Sequence, residues 1–194
     1  YTRAAADFQK WRQNGVLIRD KTPGFYLTTV TFPIEGKSVT RYGLIGAVQL
    51  EPFESGVILP HEETFSKVKS ERLELMKACH ANFSHIFSVY SDKDGLLQTL
   101  KDHVQQLSPE AEFTDDSGHF HRMWRITDPK VCRQVTEAME QRRLFIADGH
   151  HRYETALNYR EWVRQNDPDF DESHPANFIM MYLCAVEDQG LIIL

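Results

Sequence analysis

In the stretch LFIADGHHRYETAL, Asp148, Gly149, His150, His151 and Arg152 stand directly between an apolar run and a helical pattern, with no loop separating the two. The first N–H groups of a helix have no partners inside it and carry partial positive charge, so an anion placed there gains hydrogen bonds and dipole energy together. Gly149 lets backbone and ligand approach closely. Arg152 offers a planar fork suited to phosphate oxygens, and His150 and His151 can donate hydrogen bonds, carry protons or bind metal when neutral. Asp148 can cap the helix or hold magnesium. These five residues predict a phosphate or nucleotide site at a strand-to-helix turn. The structural alternative is a capping turn followed by a solvated first turn, and four special residues in succession weigh against it. Further on, Tyr153, Ala156 and Leu157 at helical spacing read as core contacts, with Trp162 and Val163 continuing the packing.

A second cluster lies in PHEETF, which contains His61, Glu62, Glu63 and Thr64. Phosphoryl transfer needs magnesium ligands and a group that orients or deprotonates the acceptor, and two carboxylates beside a histidine can supply both. Glu62, Glu63, His61 and Asp148 are therefore the candidate catalytic residues, and Asp148 and Glu62 the candidate magnesium ligands. An acidic helix start that only favours the dipole is an equally weighted reading of Glu62 and Glu63. His119 and His121 share one face of a strand and could bind zinc, but no third ligand is positioned and a hairpin surface is the simpler account. Arg142 and Arg143 read as partners of a helix C-terminus. No P-loop, dinucleotide fingerprint or nucleophile elbow is present.

The elements that position these residues follow from periodicity. A helix over residues 4–13 ends near Asn14 and Gly15, and a hairpin follows with its turn at Glu35, Gly36 and Lys37. The loop LPHEETF leads into an amphipathic helix over residues 66–83, then a strand in HIFSVYSD, a helix over 96–107, and a hairpin turning at Asp116, Ser117 and Gly118. A helix with proline near its start precedes LFIADG, read as a buried strand. After the GHHR helix and a polar loop, FIMMYLCAV, EDQG and LIIL predict a last hairpin. The alternation predicts one α+β domain over residues 1–194, a mixed sheet of hairpins with packed helices.

Composition narrows the partners. The 194 residues are 41% hydrophobic and 26% charged, as in an ordinary globular chain, and the net charge of -6 disfavours nucleic acid and anionic lipid. Three widely spaced cysteines fit reduced thiols and a cytoplasmic home. The longest apolar run is about half the length of a membrane span, so no membrane is expected. The chain opens without methionine and stops within LIIL, which reads as an internal fragment of a longer protein. Oligomeric state has no signal in the sequence.

ADGHHRYETALNYR, with PHEETF, ERLELMKA and LIIL, resembles domain of unknown function family 1015 across essentially the whole chain. That family name supplies no reaction. GHHR after a strand and before a helix is also similar to the phosphate-binding box of the ParB and sulfiredoxin superfamily, with Gly149 and Arg152 at the matching positions. The resemblance implies a ParB/sulfiredoxin-like core. Sulfiredoxins carry a nucleophilic cysteine where this chain has His150, so sulfinic acid repair is not implied. Nor is partition chemistry, since no helix-turn-helix module or basic surface is evident. The kinase-like branch phosphorylates free serine with ADP or ATP using a glutamate base. The resemblance thus implies ATP or ADP as cofactor, with magnesium, and a nucleotide and a small hydroxylated metabolite as partners. Two alternatives stand beside it: a nonenzymatic nucleotide sensor or switch using the same box, and a metal-dependent hydrolase using His61, His150 and His151.

Overall fold

β-Branched and aromatic residues alternate through Phe25–Ile34 and Lys37–Gln49, and these form the long strands β1 and β2, joined by the expected tight turn at Glu35 and Gly36. In the computed structural model, which describes residues 1–62 and 66–192, they are the fifth and sixth strands of one eight-stranded sheet. Before them comes α1 (Thr2–Gln13), closed at Asn14 and Gly15. After them come β3 (Ile58–Leu59), α2 (Ser66–Cys79), β4 (Ile86–Tyr90), α3 (Leu96–Val104), β5 (Ala111–Thr114) and β6 (Phe120–Ile126). The chain continues through α4 (Pro129–Glu140), β7 (Leu144–Asp148), α5 (His150–Asn166) and β8 (Phe178–Ala185).

The sheet order is β3-β7-β4-β8-β2-β1-β6-β5. The pairs β3 with β7 and β4 with β8 are parallel and the others antiparallel, so the sheet is mixed and the chain is α+β. Residues opposite one another share a face, and Leu27, Leu44, Leu183 and Trp124 lie in register on the face that carries the main core. Leu100 of α3, Val135 of α4 and Tyr153 of α5 complete it. Leu157 packs against this core, and Val163 and Trp162 extend it into a smaller cluster with Tyr159, as their helical spacing predicts.

Local signals set the helix starts. Asp128 accepts from the backbone N–H groups of Lys130 (2.8 Å) and Val131, with Pro129 at the first helical position. Asp92 does the same for α3 through Leu96 and Leu97 at 2.9 and 2.8 Å.

Three sequence expectations need correction. β7 is buried on one face only: Leu144 and Ile146 point into the core while Phe145, Ala147 and Asp148 are exposed. Phe145 and Ala147 face away from the core, so the strand alternates rather than disappearing into the interior. The last hairpin is absent among the described residues: β8 pairs with β2 and β4, and Leu191 and Ile192 follow the turn without strand pairing. Gly190 packs against the backbone of Thr40 and Arg41 and Asp188 accepts from the Tyr42 N–H at 2.7 Å, which sends the chain across β2 instead of back along β8. Among the described residues the Arg142 side chain is engaged by Asp92 and Tyr90 and not by a helix C-terminus. Its guanidinium lies over the Tyr90 ring and pairs with Asp92 at 2.9 Å, tying the start of α3 to the end of α4. No helix among the described residues is long and apolar enough to cross a membrane.

Candidate functional site

β7 delivers Asp148 to the sheet's end and α5 begins at His150, so the predicted strand-to-helix turn is a single residue, Gly149. Its φ of 101° lies in the left-handed region, which glycine reaches without the Cβ penalty. A glycine in the cap position brings no side chain of its own to the helix start, although the Arg152 N–H of the first turn already donates to the Gly149 carbonyl at 2.9 Å.

Arg152 folds back over this glycine. A Cβ on Gly149 would stand 2.9 Å from two of the guanidinium nitrogens. Nη1 donates to Ser84 Oγ at 2.6 Å and to the His85 carbonyl, and Nη2 pairs with the Asp148 carboxylate. The guanidinium therefore stands at the mouth of the helix start, held by protein acceptors. An anion arriving there would compete with Asp148 for it, and Asp148, 73% exposed, is free to swing away.

His150 is only 1% exposed, not part of a solvated first turn. Its Nε2 accepts the backbone N–H of His61 at 3.2 Å, so the neutral ring carries its proton on Nδ1. That Nδ1 lies 2.9 Å from Glu62 Oε1, with the carboxylate off the N–H axis, leaving the atom without a directed hydrogen bond. Burial lowers the His150 pKa, opposed by the Glu62 carboxylate. The His61 ring stands edge-on to His150, centroids 4.5 Å apart, and its Nδ1 donates to the Ile146 carbonyl at 2.7 Å. Its Nε2 consequently presents a lone pair on an exposed ring.

The structure thus brings His61, Glu62 and His150 together at the start of α5, from positions 89 residues apart. Glu63 and Thr64 lie outside the described residues. One ligand atom from each of His61, Glu62 and His150 falls within 4.8 Å of the others, close enough for one cation. His150 would have to surrender its bond from His61 to join such a set, whereas His61 and Glu62 would not. His151, the third histidine of the hydrolase reading, is not in this group.

Other candidates lie elsewhere. His121 Nε2 contacts Asp115 at 2.9 Å and His119 approaches the same carboxylate at 3.6 Å, a hairpin arrangement whose His121 lines the far end of a cleft that reaches Asp148. Sequence reasoning missed His85, whose carbonyl holds Arg152 and whose pKa is lowered by burial and by the Arg152 charge. Asp148 and His85 also line a cleft of about 600 Å³ on the sheet face opposite the main core, within the usual size of small-molecule sites. Only the aromatic and arginine content of the strands hinted at it.

The chain belongs to the family described as protein of unknown function DUF1015, whose model matches residues 1–194. No curated protein and no solved structure matches it.

Proposed function

We propose that this member of an uncharacterised family binds the phosphates of a nucleotide at the turn between β7 and α5 and transfers a phosphoryl group to a small hydroxylated metabolite. The observation that carries the reading is the meeting of two groups at one helix start. Gly149 leaves the first turn of α5 without a side-chain cap of its own, and the loop bearing His61 and Glu62 is fastened to His150 beside it.

ATP or ADP fits this arrangement. The first-turn backbone and Arg152 would hold phosphate, with Arg152 exchanging the Asp148 carboxylate for phosphate oxygens of similar geometry. Magnesium would take oxygen ligands from the carboxylates of Glu62 and Asp148, with Asp148 released from Arg152 to join it; the ligand atoms that already lie within 4.8 Å of one another are those of His61, Glu62 and His150. When bound, the cation would neutralise charge developing on the transferring group. Glu62, or His61 through its Nε2, would orient the acceptor hydroxyl and take its proton. His150, neutral and buried, fixes the backbone of His61 and so positions both groups. A ParB/sulfiredoxin-like core, free serine as acceptor and a cytoplasmic setting belong to the same proposal.

The test is to incubate full-length protein with ATP or ADP, magnesium and a panel of hydroxylated metabolites beginning with free serine, and to look for phosphorylated products by mass spectrometry. A product dependent on Glu62 supports the reading. No product across the panel, with nucleotide bound and unaltered, replaces the enzyme with the sensor.

A further inference from the structure

The cleft that begins at Asp148 and His85 continues across the open sheet face to Arg41 on β2. Of the other side-chain cations that line it, His121 has Asp115, and Arg122, whose Nε is also buried without a partner, shares the main-core face with Trp124 and lies over the Phe120 and Trp124 rings; Arg152, just beyond the lining, has Asp148. Arg41 has no ion pair among the described residues, and its Nε is buried without a hydrogen-bond partner. Two aromatic rings hold it in place, with the guanidinium carbon 5.8 Å from the Phe87 centroid and 5.9 Å from that of Tyr182. Tyr182 lies so flat over the neighbouring strand that a Cβ on Gly43 would come within 2.0 Å of its ring. His85 then continues the wall toward the helix start, its ring 5.3 Å from Tyr182.

A planar cation held by aromatic rings, with the Tyr182 side chain as a hydrogen-bond partner and no counter-ion, suits an oxyanion, because guanidinium matches carboxylate or phosphate with two parallel bonds. An unpartnered buried donor costs free energy that such a ligand would recover. The phosphate end of the proposed nucleotide already has its place at Gly149 and Arg152, beside Asp148, which lines the other end of the same cleft. Resting on the phosphotransferase reading, we infer that Arg41 binds the carboxylate of the acceptor, so that the substrates are hydroxylated carboxylic acids rather than neutral alcohols or sugars.

The experiment is calorimetry on full-length protein saturated with ADP and magnesium. The probes are glycerate and free serine, set against glycerol and serinamide, which keep the hydroxyls and lack the carboxylate. At least one acid should bind tenfold or more tighter than its neutral counterpart. Arg41→Gln should remove that advantage, and Arg41→Lys should restore only part of it, since lysine keeps the charge without the fork. ADP affinity should stay within twofold in both variants, which also shows that they are folded. Equal binding of acids and neutral analogues, absence of any acid binding, or an Arg41→Gln protein that binds acids normally would each overturn the inference. If Arg41→Gln instead weakens ADP and inorganic phosphate tenfold, the subsite belongs to the nucleotide and the acceptor assignment falls. Failure of the phosphotransferase reading looks different: wild-type protein would bind no nucleotide, or would bind the acids and ADP yet transfer nothing from ATP.

Discussion

The buried Nε2 of His150 accepts the backbone N–H of His61 across 89 residues of sequence, at 3.2 Å. This bond fastens the loop that follows β3 to the first turn of α5, and it sets the tautomer of the ring. Two motifs unrelated in the sequence thereby become one site.

That bond makes the site sensitive to acid. Burial depresses the His150 pKa below its ordinary 6.5, so folding favours the neutral ring. The stability it contributes is fully present above about pH 6.5 and is lost as pH falls through the depressed folded value, where protonation of Nε2 breaks the acceptor. Thermal melts between pH 7.5 and 5 should show a loss that His150→Asn reduces. A variant with the same pH slope as wild type would place the sensitivity elsewhere.

Gly149 should not accept a side chain. At its φ of 101° an alanine costs about 1–2 kcal/mol, and its Cβ would press on the Arg152 guanidinium. Denaturant unfolding of Gly149→Ala measures this, and an unchanged midpoint would show that the turn relaxes freely.

For Arg152→Ala, nucleotide affinity should fall by about 1.5–3 kcal/mol, the scale of a lost charge-assisted hydrogen bond. Because Arg152 also holds Ser84 and the His85 carbonyl, some stability should be lost too. Calorimetry on folded protein separates the two effects. Equal affinities would mean that the guanidinium stays with Asp148 when nucleotide binds.

Much of this was legible in advance, for local reasons. A glycine between an apolar run and a helical period marks a strand-to-helix junction whatever the rest of the chain does, and α5 indeed starts at His150. The burial of His150 was not legible, because it depends on where the His61 loop returns. The final hairpin failed for a similar reason: a turn sequence in EDQG says nothing about Asp188 reaching the Tyr42 amide on another strand. Nothing in the strand sequence singles out Arg41, and only the pairing of β2 with β8 and of β8 with β4 gives it Tyr182 and Phe87 as walls.

Glu62→Gln should reduce turnover on the order of 10²-fold while changing nucleotide affinity little, because a base acts chiefly in the transition state. Steady-state kinetics with the acceptor from the metabolite screen gives the first number and calorimetry the second. A variant that loses nucleotide binding and keeps its rate would make Glu62 a cation ligand only.

A crystal structure of the full-length protein soaked with ADP and magnesium tests most directly where the phosphates bind. A phosphate oxygen should lie about 2.7–3.2 Å from the first-turn amides of α5, with Arg152 turned from Asp148 toward it. Nucleotide bound elsewhere, with the Arg152–Asp148 pair intact and the turn at Gly149 empty, would contradict the account.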